Sequence, residues 1–174
     1  MELLKKTHRA FGVYGICTED DRLLVINKSR GPYIHRFDLP GGSLEESEGL
    51  TEAMKREFTE ETGLTVEIKE QVGVQDFIFP IEWKDFTHIH HIAVFYLVKR
   101  TGGELAEPEQ FDGQDSSGAE WISMEEATAD NSSPLVLKAL EWLRNRELDL
   151  ETHRFENWVI RDSKSELKSK LRKA

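Results

Sequence analysis

The chain has 174 residues, 38% of them hydrophobic and 32% charged, with a formal net charge of −10. That length suits one domain able to bury a core, and the acidic balance excludes general binding of duplex nucleic acid, which needs clustered Lys and Arg against phosphate. A single cysteine, Cys17, excludes an internal disulfide framework and suits a reducing, cytoplasmic compartment. No apolar run reaches the ~20 residues of a membrane span, and MELLKKTHRAFG lacks the apolar segment and cleavage site of a signal peptide.

Residues 8–18 (HRAFGVYGICT) read as a buried strand, with Gly12 and Gly15 permitting close backbone approach and Cys17 serving packing. Glu19-Asp20-Asp21 reads as a turn and residues 22–27 (RLLVIN) as the antiparallel partner of that strand. The loop at 30–36 (RGPYIHR) carries Tyr33, His35 and Arg36, either to a nucleotide base or phosphate or merely to a polar surface. Leu39-Pro40-Gly41-Gly42 then brings a strand into a tight loop where bare backbone can approach a ligand. Leu50, Ala53, Met54 and Phe58 follow a core stripe and predict a helix over 50–62, with Gly49 at its N-cap, Glu52 at its third position and Gly63 as a left-handed C-terminal cap. On another face of that helix Glu57, Glu60 and Glu61 stand at i, i+3 and i+4, so their side chains share one side and repel. A hard divalent cation such as Mg²⁺, which prefers carboxylate oxygens, removes that repulsion.

Gly42, Glu48, Arg56-Glu57, Phe58, Glu60-Glu61, Gly63 and Leu64, with five residues between the first two and seven before Arg56, resemble the complete box of the Nudix (MutT-like) hydrolase family, every fixed position filled. The resemblance implies that Glu57, Glu60 and Glu61 ligate Mg²⁺ or Mn²⁺, that the Gly41 carbonyl can join them, and that Arg56 orients the glutamates by salt bridge. It further implies hydrolysis of a nucleoside diphosphate linked to another group. Nucleoside triphosphates, ADP-ribose and sugar nucleotides all present the same diphosphate, so side chains outside the box select among them.

Beyond the helix, residues 64–68 alternate as a strand, 73–79 continue across a kink, 83–87 form a turn, and 91–99 (HIAVFYLVK) make the most apolar run, a central strand. His88 and His90 share a strand face, yet no Cys or third suitably spaced ligand accompanies them, so they read as strand-end or substrate-contacting residues. Residues 101–119 form a Gly-, Pro- and acid-rich loop, and Glu120-Trp121-Ile122 restore a strand. Glu120, directly before Trp121, is similar to the extra metal-ligating glutamate of some Nudix pyrophosphohydrolases; it is a candidate ligand or general base, with Glu57 the other candidate base. Pro134 opens a second helix whose buried side is Leu135, Leu137, Ala139, Leu140, Trp142 and Leu143. Residues 161–174 carry six basic residues and can pack, dimerise or fray.

The expected organisation is one Nudix domain over 1–150 followed by a polar, basic extension over 151–174. Strands and helices in this order indicate an α+β fold with a central mixed sheet, and the resemblance implies the Nudix α/β/α sandwich. The expected chemistry is metal-dependent attack of water on phosphorus in a small nucleoside diphosphate derivative, without duplex nucleic acid or membrane partners and with a homodimer possible. The alternative is a non-catalytic Nudix-fold module that senses a nucleotide; such modules often lose box glutamates, and this box retains all of them.

Overall fold

The computed structural model describes residues 5–161. In chain order the elements are β1 (Thr7–Ile16), β2 (Thr18–Glu19), β3 (Arg22–Lys28), β4 (Phe37–Asp38), β5 (Gly41–Gly42), α1 (Leu50–Thr62), β6 (Leu64–Trp83), β7 (Phe86–Gly103), β8 (Ser116–Ser123), α2 (Pro134–Asn145) and β9 (Thr152–Arg154). One mixed sheet has the order β5-β1-β7-β6-β9; a second joins β2, β3 and β4, with β8 on β3.

β7 is the middle of the larger sheet. It runs parallel to β1, from His88 opposite Thr7 to Leu97 opposite Ile16, and antiparallel to β6. Its residues sort by parity. Ala93 and Phe95 join the core beneath α2, whereas Val94, Tyr96 and Val98 join the core beneath α1. A strand buried on both faces needs apolar residues at every position, which is why residues 93–98 read as an unbroken apolar run.

α1 forms at the predicted residues. Glu52 accepts a hydrogen bond from the Gly49 N–H at 3.0 Å, and Gly63, at φ 79°, closes the helix by donating its N–H to the Thr59 carbonyl. Ala53, Met54 and Phe58 are buried against the sheet. Gly15 on β1 makes room for them: a Cβ there would stand 2.9 Å from the Phe58 ring. On the other side α2 starts at Pro134 with Ser133 as its N-cap, the Ser133 hydroxyl accepting from the Val136 N–H at 3.3 Å. Helices on both faces of the mixed sheet make the expected α/β/α sandwich.

Three features differ from the sequence reading. β3 is not the hairpin partner of β1; across the turn it pairs instead with Thr18 and Glu19 of β2, because one edge of β1 is taken by β7 and the other by β5. The two strands expected over 64–79 are one, β6, with register shifts between Ile68 and Glu70 and between Gln71 and Gly73; bulges of this kind bend a strand without ending it. The boundary expected at 150 cuts through the structure. β9 pairs with β6 from Asp76–Thr152 to Ile78–Arg154, and the Trp158 indole N–H then donates to the Pro32 carbonyl at 2.8 Å. The basic run that follows Arg161 lies outside the described residues. Among those described, no helix is long and apolar enough to cross a membrane.

Candidate active site

The glycine loop and α1 meet through one buried hydrogen bond. β5 pairs with β1, placing Gly41 opposite Tyr14, and Gly41 has φ +152°, with Val13 O only 2.0 Å from where a Cβ would stand. Only glycine fits there without displacing β1. The Gly41 N–H donates to Glu61 Oε2 at 2.9 Å, and Glu61 is 1% exposed. Gly42 leaves the space taken by Glu57, whose carboxyl carbon would lie 2.8 Å from a Cβ at that position.

Arg56 gathers the remaining carboxylates. Its Nε and one terminal nitrogen form a two-pronged pair with Glu48 at 2.7 and 2.9 Å. Its other terminal nitrogen donates to Glu57 at 2.9 Å and to Glu60 at 3.2 Å, and a further bond goes to the Ser43 carbonyl at 3.1 Å. A planar fork serves three carboxylates at once where a lysine ammonium is a point charge. Hydrogen bonds from Arg56 hold the Glu48 carboxyl down to about 2. Glu57 and Glu61 go the other way. Burial raises the Glu57 carboxyl, with Arg56 opposing and Glu60 and Asp115 adding to the rise. Burial pushes Glu61 well above the usual carboxylate range, against Lys28, with Asp115 and Glu57 contributing. Five carboxylates, Glu48, Glu57, Glu60, Glu61 and Asp115, thus share two cations, Arg56 and Lys28.

A cleft of about 210 Å³ opens over this arrangement, lined by Gly41, Gly42, Arg56, Glu57 and Glu60 on one side and by Phe111, Gln114 and Asp115 of the β7–β8 loop on the other. Glu61 sits behind it. The donors are all oxygen, the chemistry of a hard divalent cation, and a charge of two plus would relieve the carboxylates that burial now raises. Among the described residues no three His, Cys, Asp or Glu side chains are gathered closely enough to hold an ion between them; Arg56 draws Glu48, Glu57 and Glu60 around its own guanidinium instead.

Glu120 is not brought to this cleft. It is exposed on β8 opposite Val25 and accepts a hydrogen bond from Asn27 Nδ2 at 2.8 Å. Its neighbours Ala119 and Trp121 pack on the α1 side, so strand alternation turns Glu120 from that side. The carboxylate that does reach the cleft is Asp115, five residues earlier, ion-paired there with Lys28. No motif marks it; the only sequence signal was an acidic residue in a long loop.

Beside the cleft lies a larger cavity of about 450 Å³, which Asp115 also lines, together with Lys28, Tyr14, Tyr33, His91 and Trp83. Lys28 bridges Asp115 and Asp38; burial lowers its pKa, but Asp38, Asp115 and Glu61 outweigh burial and raise it. Of the loop residues read as possible nucleotide contacts, Tyr33 reaches this cavity. Arg36 instead lies over the Trp158 ring at 4.6 Å and donates to the Val159 carbonyl at 3.0 Å, while the His35 N–H turns back to the Lys28 carbonyl. The three histidines part company: His88 meets Thr87, His90 meets Asp76 at 2.6 Å, and His91 is buried between Tyr14 and Tyr33.

These elements match known proteins. An ADP-ribose pyrophosphatase of Methanocaldococcus jannaschii is 33% identical over 117 residues, 67% of this chain and 63% of that protein, so the match spans less than two thirds of the relative's length. The structure is similar to a NUDIX hydrolase from Nitrosomonas europaea, with TM-score 0.63 at 21% identity over 80% of this chain and 90% of that one. It is also similar to a MutT NUDIX hydrolase from Burkholderia pseudomallei, with TM-score 0.59 at 24% identity over 77% and 97%. At these identities the two structures bear on the fold alone. The family model of the NUDIX domain matches residues 6–153, and the chain belongs to the Nudix family.

Proposed function

We propose that the chain hydrolyses the diphosphate linkage of a nucleoside diphosphate derivative, using Mg²⁺ or Mn²⁺ held by Glu57, Glu60 and Glu61 with the Gly41 carbonyl. The observation that carries this reading is the pair of carboxylates, half-buried Glu57 and buried Glu61, pressed against a glycine loop where burial disfavours their charged forms. A cation bound there supplies Lewis acidity, neutralising charge on the diphosphate and acidifying a water. The chain's own residues do the rest. Arg56 fixes the direction of the Glu57 carboxylate, and the raised proton affinity of Glu57 suits it to accept a proton from water. Asp115 faces the same cleft from across it and is a better-supported extra carboxylate than Glu120. The retained glutamates favour an enzyme over a binding-only module.

The similarity to an ADP-ribose pyrophosphatase makes ADP-ribose the first compound to try, with nucleoside triphosphates and sugar nucleotides beside it. The expected result is release of monophosphate or pyrophosphate from at least one of them with Mg²⁺ or Mn²⁺, none in excess chelator, and a loss of at least 100-fold in Glu61→Gln, on the order of what a catalytic carboxylate contributes. Full turnover in chelator, or an unchanged Glu61→Gln, overturns the reading. Tight nucleotide binding without hydrolysis of any compound supports the sensor instead.

A further inference from the structure

The larger cavity holds a hydrogen count that does not close within the protein. Tyr14 Oη lies 2.8 Å from His91 Nε2, and Tyr33 Oη lies 2.8 Å from His91 Nδ1. All three residues are buried, with relative exposures of 7%, 5% and 2% for Tyr14, His91 and Tyr33, and all three line the cavity. Burial keeps both phenols protonated and lowers His91 to about 3, with Lys28 and His90 adding to the fall. A neutral imidazole carries one N–H and one bare nitrogen. The three side chains thus bring three polar hydrogens to two contacts. The ring N–H donates to one phenol oxygen, and the other phenol donates to the bare nitrogen. The phenol that accepts from the ring keeps its own O–H hydrogen, for which no described residue is an acceptor. A protonated ring would leave two such hydrogens rather than one, so a surplus is present whatever the ring's charge. Moving the ring proton from one nitrogen to the other transfers the surplus from one tyrosine to the other.

Buried donors are seldom left unmade, and this one faces a space of about 450 Å³. The remaining walls restrict what can take it. Trp83, Ile81, Ile89 and Ile160 are apolar and suit a flat ring, while Lys28, Asp38, Glu82 and Asp115 supply the charged part of the lining. We propose that the Tyr14–His91–Tyr33 unit is a specificity-determining donor, which recognises a heteroaromatic ring, the base of a nucleoside diphosphate derivative, through an acceptor atom on that ring. The inference rests on the reading of the carboxylate cleft as the diphosphate site, which the cavity adjoins through Asp115. The tautomer of His91 decides which tyrosine donates, so one pocket can satisfy acceptors at two positions on its rim.

The test is binding in excess chelator, where no hydrolysis occurs, with AMP, GMP, CMP, UMP and ribose 5-phosphate as probes. Ring ¹⁵N shifts of His91 report its tautomer. The expected result is that at least one nucleoside monophosphate drives the ring towards a single tautomer, while ribose 5-phosphate leaves it unchanged. Either Tyr14→Phe or Tyr33→Phe should then weaken that nucleotide by roughly five- to tenfold, the range of one neutral hydrogen bond, with the other variant less affected. No ring response to any nucleotide overturns the proposal, as does an equal response to ribose 5-phosphate, and the wild-type titration decides even where a variant fails to fold. Hydrolysis of the substrate panel without a ring response defeats this inference alone; a ring response without hydrolysis defeats the catalytic reading alone.

Discussion

Asp38 shows how one residue can tie the cavity to the stability of the fold. Its carboxylate accepts from the Ser133 hydroxyl at 2.6 Å and the Leu39 N–H at 2.9 Å, yet burial, opposed by Lys28 and Ser133, raises it to about 6. The folded protein therefore holds this proton more tightly than the unfolded chain does, and stability from this group rises as pH falls from about 6 to about 4. At 1.36 kcal/mol per unit the change is on the order of 3 kcal/mol. Urea unfolding at both pH values should show wild type gaining on Asp38→Asn towards acid by about that amount; a constant difference would mean Lys28 keeps Asp38 ionised throughout. Asp115 and Glu120 allow a second comparison. Asp115→Asn should lower turnover at least tenfold, and Glu120→Gln should change it only a few-fold, both measured at saturating cation; the reverse order would restore Glu120. The box glutamates were legible because a helix imposes fixed spacing on them. Asp115 was not, since a loop without periodicity gives no position from which to count.

At the scale of elements, β5 and α1 form one unit whose joint is the Gly41–Glu61 hydrogen bond. Gly41→Ala should cost about 1–3 kcal/mol from backbone strain alone, and more if β1 has to shift. Its amide should lose protection from hydrogen exchange as the joint opens, while α1, anchored by Phe58, keeps its own. Retained protection at residue 41 would show that the loop absorbs a Cβ. The helix bounds followed from sequence because caps and stripe agree over a short span. The partner of β1 did not follow. The apolar run just after the turn looked like the natural hairpin mate, whereas the true neighbour, β7, begins about 80 residues away, and parallel pairing leaves no turn from which to read its register.

The whole molecule is closed by the segment after α2. Trp158 rests on Phe79, Phe155 and Tyr33 at centroid distances of 5.0, 5.2 and 5.7 Å, and Arg36 covers its ring. Trp158→Ala should lower stability by about 2–4 kcal/mol, somewhat below the cost of a fully buried Trp, and raise KM for a nucleotide substrate more than it lowers kcat, because Tyr33 loses its support while the carboxylates do not; thermal melts and steady-state rates check both. Only three residues of this segment are strand, too few for periodicity to reveal, so from sequence it passed for the start of a tail. Its position also orders events during synthesis. The cleft is built from residues 41–60 and 111–115, while Ile160 completes the wall of the larger cavity. During synthesis the residues that line the carboxylate cleft are thus all in the chain some 45 residues before Ile160, the last described residue to line the neighbouring cavity, so the groups proposed for hydrolysis are made before the enclosure proposed to choose what they act on.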